Sequence, residues 1–209
     1  MKINKLPLIV LNTFLFSLLT VSLIACSCRP PGPISYEHYM NTDVIFEGIA
    51  INVVEDKAAW SRTVTFQVTD KIKTTQSTVI IETALDGAMC GLQISEGEKW
   101  YIWGNSLENG KFGTGICTRS SNLPEDPSAF NMDRYEADKK FIKELKLKKG
   151  KQTFKLSDGS YVSGKMKKGM RCGKWGYYEA NDVLYKTCKY KKDIEQSCTE
   201  ADASSTYNQ

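Results

Sequence analysis

The chain has 209 residues, of which 41% are hydrophobic and 25% are charged, and its net charge of +4 is mild. Seven cysteines occur with no Cys-x-x-Cys spacing and with a single histidine, His38, which speaks against a structural zinc protein. No nucleophile, base or carboxylate pair forms a catalytic motif, so we expect a protein that is not an enzyme and uses no cofactor or metal of its own.

Residues 1–25 have the three parts of a secretory signal peptide. Lys2 and Lys5 charge the start, an apolar run follows over 6–24, and a small residue closes the segment. We therefore predict export to the periplasm or the extracellular space, with a mature chain of about 184 residues that begins at Cys26. All seven cysteines lie in this exported part, where an oxidising environment favours disulfides. A permanent transmembrane helix is the competing interpretation, because the apolar run is nearly long enough to span a bilayer.

Residues 26–147 have the pattern of a small β domain that ends in a helix. Val64, Phe66 and Val68 alternate with polar residues, which predicts a strand with one buried face. Asn109-Gly110 is a strong hairpin turn between the last two predicted strands. Five strands with one long connection fit a five-stranded barrel of the oligonucleotide/oligosaccharide-binding (OB) type. The strands are predicted over residues 43–55, 62–73, 78–83, 99–104 and 111–117, and the long connection over 84–97.

A second region, 150–192, follows a helix predicted over 128–147. Glycines recur among tyrosines in this region, and turn dipeptides separate its short predicted strands. This pattern resembles one or two MORN-type repeats, which form a glycine-punctuated β-meander. Cys172 and Cys188 lie on adjacent predicted strands, so a cross-link between them is expected within this hairpin. Residues 193–209 are predicted to form a disordered tail.

The stretch 137–192 is strongly basic, with 17 Lys or Arg against 5 Asp or Glu. Export argues against nucleic acid as the partner, and no nucleic-acid recognition motif accompanies the lysines. An anionic polysaccharide or lipid head groups are the partners expected outside the cytoplasm. A solvated basic face without a partner is the alternative.

The predicted mature start, 26–33, reads Cys-Ser-Cys-Arg-Pro-Pro-Gly-Pro. It resembles the start of the tissue inhibitors of metalloproteinases, Cys-[Ser/Thr]-Cys-x-Pro-x-x-Pro. Four further segments, 41–45, 90–91, 100–104 and 115–119, follow in the order and approximate spacing of that family. The resemblance covers about residues 26–147, the netrin-like module, and implies an OB barrel with a flanking helix.

The resemblance also implies two disulfides, Cys26–Cys90 and Cys28–Cys117. Each would close a loop of more than sixty residues, and the chain-entropy model gives roughly 4 kcal/mol of stabilisation for each. Such bonds stabilise an exported fold, and they can also hold the N-terminus rigidly beside residues 88–90. The two roles are compatible.

Inhibitors of this family bind the catalytic zinc of a protease through the α-amine and carbonyl of their first cysteine. Carried over, Cys26 would chelate the zinc and Ser27 would enter the specificity pocket. Cys28, Arg29 and Pro30 would form an extended contact edge. Ala88 and Met89 would add a second contact strip. The resemblance thus implies a zinc metalloprotease as the partner.

The residues at the cleavage site support a different hypothesis. Leu23-Ile24-Ala25-Cys26 is similar to a bacterial lipobox, in which the cysteine sulfur receives a diacylglycerol group before cleavage. Cys26 would then anchor the chain to a membrane and could not pair with Cys90. Six cysteines, an even number, would remain. The alternative function is therefore an envelope-anchored lipoprotein with a binding or adhesion role.

Overall fold

A computed structural model of the chain describes residues 27–28, 31–123 and 132–201. The described chain is mainly β, with two sheets and a 15-residue helix between them in sequence. The helices are α1 (Tyr36–Met40) and α2 (Asp133–Leu147), with a 3₁₀ turn at Gly87–Met89. The strands of the first sheet are β1 (Val44–Asp56), β2 (Ser61–Lys73), β3 (Thr78–Ala84), β4 (Lys99–Ser106), β5 (Phe112–Gly113) and β6 (Ser121–Asn122). Those of the second are β7 (Gly150–Lys155), β8 (Tyr161–Lys167), β9 (Met170–Tyr178), β10 (Leu184–Lys191) and β11 (Ile194–Glu200).

Five strands of the first sheet each pair with at least two neighbours, and β4 also pairs antiparallel with the short strand β6. β1 pairs antiparallel with both β2 and β4, and β2 pairs antiparallel with β3. β5 pairs in parallel with β3 and antiparallel with β4. The pairings therefore run β1–β2–β3–β5–β4 and return to β1. The last strand is shorter than predicted from the sequence, because the ladder stops at Gly113 and the chain turns through residues 116–118.

Alternate residues of these strands fill the interior of the first sheet. Val64, Phe66 and Val68 of β2 are buried and their neighbours are more exposed, which confirms the alternation predicted from the sequence. Phe46 and Phe66 meet edge to face with ring centroids 5.5 Å apart. The buried members of this first core are Val44, Phe46, Ala50, Val64, Phe66, Val68, Val79, Ile81, Leu92, Ile94, Trp100 and Ile102.

A second core lies between the two sheets and α2. The run 100–103 alternates between the two cores, because Trp100 and Ile102 face the first and Tyr101 and Trp103 face the second. An apolar run of this kind is typical of a strand with both faces covered. The buried members of the second core are Tyr36, Tyr39, Ile45, Ile72, Tyr101, Trp103, Leu123, Ile142, Leu145, Val162, Met166, Trp175, Cys188 and Tyr190.

Close contacts join α2 to both sheets. Tyr135 and Lys139 of α2 donate hydrogen bonds of 2.8 and 2.5 Å to the carboxylate of Glu47 on β1. The turn before β9 contacts the other end of the helix. There Gly169 has φ +77°, and a Cβ on it would lie 2.7 Å from the Cα of Lys146. Only glycine fits both the backbone angle and the approach.

The second sheet is an antiparallel meander in the order β7–β8–β9–β10–β11. The prediction of a disordered tail over 193–209 is wrong for 194–200, because these residues form β11 along the edge of β10. A disulfide between Cys188 and Cys198 joins the two strands. Residues 202–209 lie outside the described part of the chain.

Candidate functional site: the N-terminal disulfide ridge

A cluster of cysteines joins the N-terminal segment to two loops of the first sheet. Cys28 and Cys117 form a disulfide with a Cα–Cα distance of 5.3 Å, and this is the pair that the family resemblance implies. The sulfur of Cys90 lies 3.5 Å from that of Cys28 and 3.4 Å from that of Cys117. The expected Cys26–Cys90 bridge lies outside the described residues, because Cys26 is not described.

The loop that carries Cys90 is held in shape by its own hydrogen bonds. The side chain of Asp86 accepts from the backbone N–H of Met89 at 3.0 Å and caps the 3₁₀ turn. Cys90 ends this turn with φ +64°, and its carbonyl accepts a 2.9 Å hydrogen bond from the N–H of Ile116. A Cβ on Gly91 would overlap the carbonyl group of Ala84, so only glycine fits there. The loop is therefore a fixed support.

Side chains on this support point to solvent. Ala88 is exposed, and Met89 is 51% exposed although it is apolar. Ile116, which precedes the disulfide-bonded Cys117, is 44% exposed. Ser27 is also exposed and Cys28 is half-buried. Two exposed apolar side chains, Met89 and Ile116, therefore adjoin the cysteine cluster. We call residues 27–28, 88–90 and 116–117 the disulfide ridge.

A buried ion pair fixes the N-terminal segment at a second point. Arg119 donates two hydrogen bonds to the carboxylate of Asp138, at 2.8 and 2.5 Å, and a third of 2.8 Å to the carbonyl of Gly32. Arg119 is 4% exposed and Asp138 is fully buried. The planar guanidinium bonds both carboxylate oxygens and still has a donor for the incoming chain. The Arg29 and Pro30 positions between the two attachments lie outside the described residues.

The single histidine has a structural partner. The Nδ1 atom of His38 lies 2.8 Å from the hydroxyl of Ser35 and accepts from the backbone N–H of Ser35 at 3.2 Å. These contacts form a capping box at the start of α1. Burial lowers the pKa of His38, and the nearby charge of Arg119 lowers it further. His38 therefore favours its neutral form beside the buried ion pair.

The expected Cys172–Cys188 bridge is wrong. The strand register places Trp175 opposite Cys188 on β9 and Cys198 opposite it on β11. Cys188 accordingly bonds Cys198, with a Cα–Cα distance of 4.1 Å. Cys172 lies at an irregularity in the β8–β9 ladder, opposite Lys165, and is the free thiol among the described cysteines.

Two groups of described side chains have the composition of metal ligands. One is Cys28, Cys90 and Cys117, and the other is Cys188, Glu195 and Cys198. Each group contains a disulfide, and metals bind cysteine as the thiolate. In the oxidised protein the sulfur clusters therefore act as cross-links.

No protein-family model matches the chain, and a comparison with curated proteins finds no match. Within the described ranges, no helix is both long and apolar enough to cross a membrane.

Proposed function

We propose that the exported protein, beginning at Cys26, inhibits a zinc metalloprotease by direct coordination of the catalytic zinc. The observation that carries the proposal is the Cys28–Cys117 disulfide, which fixes the N-terminal segment against the loop of Cys90 and the exposed Ala88 and Met89. Nothing in this role requires the protein to catalyse a reaction.

The proposed scaffold is a netrin-like barrel of the OB type. Five strands with at least two partners each, and the parallel pairing of β3 with β5, support this assignment. A continuous apolar interior, formed by alternate residues of these strands, agrees with it. The ridge would lie at one end of this barrel.

The chemistry of inhibition needs a free α-amine at Cys26. Catalytic zinc sites keep one coordination position open for water, and an amine with an adjacent carbonyl can displace that water and bind the zinc through both its nitrogen and its oxygen. The reference pKa of an α-amine is about 8, so zinc readily binds its neutral form near neutral pH. Ser27 would then enter the specificity pocket beside the zinc. Its small side chain would favour proteases in which this pocket is small.

Preorganisation strengthens this proposal. The segment is attached at Cys28 by a covalent bond and at Gly32 by the hydrogen bond from Arg119. A segment attached at two points loses less conformational entropy when it binds than a free segment does. Met89 and Ile116 flank it and can bury apolar area against the protease.

Inhibition of a metzincin-type protease by the purified mature protein tests the proposal. One alanine added before Cys26 moves the amine away from the chelating position and should abolish inhibition. The matched control carries one alanine after Gln209 and should inhibit like the wild type. Equal inhibition by both extended proteins would exclude zinc chelation.

The lipoprotein hypothesis gives a different result in the same preparation. A diacylglycerol group on the Cys26 sulfur and an acyl group on its amine would add to the mass of the intact, non-reduced protein. Acylation removes the free amine that chelation needs. A mass that includes these groups would therefore favour an envelope-anchored binding role. A lipid-free mass with Cys26 at the N-terminus is the result expected for the inhibitor.

A further inference from the structure

Four lysines form a row across the outer face of the second sheet. Lys151, Lys165, Lys174 and Lys189 lie on β7, β8, β9 and β10, and all four are exposed. The register pairs Lys151 directly with Lys165, and Lys174 directly with Lys189. Between β8 and β9 the ladder is irregular and Lys165 lies opposite Cys172, so Lys174 is offset from Lys165 along the strand. Neighbouring strands lie about 4.8 Å apart, so the four strands span about 14 Å.

This row is electrostatically unfavourable in the protein alone. Like charges directly opposite each other on a sheet destabilise it. Among the described residues, no carboxylate forms an ion pair with any of the four lysines. A ligand with a matching row of negative charges would remove this repulsion. The four ammonium groups are available to such a ligand, because no described carboxylate pairs with them.

The surface beside the lysines is a shallow groove, and the hydroxyl-bearing residues Ser163 and Thr187 contribute to its lining. A second row, parallel to the first, carries the hydroxyls of Thr153, Ser163, Thr187 and Thr199 and is interrupted by Gly176. The groove has a volume of about 420 Å³, and Lys151, Lys165 and Lys174 line it.

A tyrosine closes one side of the groove. The ring of Tyr178 lies over Gly176, where a Cβ would come within 2.6 Å of it, so the missing side chain lets the ring lie along the sheet. Tyr178 stacks on Tyr161 with ring centroids 4.6 Å apart and an angle of 6° between the rings. The stack covers one face of the Tyr178 ring and fixes the ring beside the hydroxyl row.

We infer that this groove binds a linear anionic polysaccharide. The lysine row provides positive charge for sulfate or carboxylate groups, the hydroxyl row provides partners for sugar hydroxyls, and the ring of Tyr178 provides a surface that a sugar ring can contact. A lipid surface fits less well, because Leu184 is the one exposed large aliphatic residue among those that line the groove. This site is separate from the disulfide ridge and does not depend on protease inhibition.

Binding of size-defined heparin oligosaccharides to the full mature protein tests the inference. A groove variant, K151S/K165S/K174S/K189S, should bind at least about tenfold more weakly than the wild type, since four exposed charge pairs are lost. The matched control, K140S/K143S/K146S/K148S, removes the same charge from exposed positions in and just after α2 and should stay within about threefold of the wild type. Uncharged dextran should not bind.

Stability measurements separate lost binding from lost folding. The groove variant should melt at the same temperature as the wild type or higher, because the opposed lysines no longer repel each other. Equal loss of binding in both variants would overturn the inference, since net charge alone would then explain it. Failure of the wild type to bind heparin would overturn it too. So would groove-dependent binding to vesicles of phosphatidylcholine and phosphatidylglycerol without heparin binding, which would assign the face to lipid.

Discussion

Arg119 and Asp138 form a buried ion pair that joins the end of the first sheet to α2 and, through Gly32, to the N-terminal segment. The pair is separated from solvent, so each charge depends on the other. The same guanidinium thus links the fold to the segment on which the proposed inhibition depends.

Replacement of Asp138 by alanine should lower the free energy of unfolding by about 3–5 kcal/mol, because Arg119 would stay buried without its counter-charge. Denaturant-induced unfolding measures this change. Glu144→Gln, which removes an exposed carboxylate from the same helix, should change stability by less than about 0.5 kcal/mol. Similar losses in the two variants would show that the charge of the helix, and not the buried pair, is responsible.

Removal of the Cys28–Cys117 disulfide should cost more stability than removal of the second bridge. In the chain-entropy model Cys28→Ser/Cys117→Ser loses about 4.6 kcal/mol and Cys188→Ser/Cys198→Ser about 2.7 kcal/mol, because the loops differ in length. The sequence separations are 89 and 10 residues. Thermal unfolding of the two double variants gives the order of the two stability losses. Intact mass checks that the remaining disulfides have formed in each variant. A reversed order would show that the loop-length account does not hold for this protein.

Truncation of Met89 should weaken protease inhibition without unfolding the protein. Met89 is half-exposed on the disulfide ridge, so Met89→Ala removes apolar contact with the partner and little internal packing. We expect the inhibition constant to rise about tenfold, the range of a moderate interface contact. Leu147→Ala, at the exposed end of α2, is the matched control and should leave inhibition unchanged. An unchanged constant for Met89→Ala would remove this residue from the proposed contact strip.

Stability should depend on pH through His38. Burial and the charge of Arg119 lower the pKa of His38 in the folded protein, so the unfolded chain binds its proton more readily. The free energy of unfolding should therefore fall as the pH drops below about 6.5, and this contribution should level off below the pKa of the folded state. His38→Gln keeps a hydrogen-bonding side chain in the capping box but does not titrate. The free energy of unfolding of this variant should therefore change less with pH over the same range. Because His38 is the only histidine, proton NMR can follow its titration directly. A pKa above 6.5 would contradict the prediction.

Local sequence patterns predicted the strands that have a buried face. β2 and β4 carry enough apolar residues for their period to be visible, and Asn109-Gly110 gives the turn before β5. β11 has no such signal, because its residues are mostly polar and exposed and its order depends on pairing with β10. β11 therefore forms because it pairs with β10 and is joined to it by the Cys188–Cys198 disulfide.

The ridge and its supports could be predicted only in part. The Cys28–Cys117 pairing was accessible through a family resemblance, whereas Cys188–Cys198 required the strand register. Asp138 lies among lysines on α2 and looks like an ordinary solvated carboxylate. Its burial follows from the contact with Arg119, a long-range relationship that no local pattern contains.

The core shared by the two sheets has a consequence for how the protein unfolds. Tyr36, just after the N-terminal segment, stacks on Phe154 of β7 at 3.7 Å and faces Trp175 of β9. Loss of the second sheet would expose this aromatic layer together with Trp103 and Ile142. Calorimetry should therefore record a single cooperative transition in which both sheets unfold together. Gain or loss of the meander during evolution would therefore also require changes in the aromatic core against which Tyr36 packs, just after the N-terminal segment.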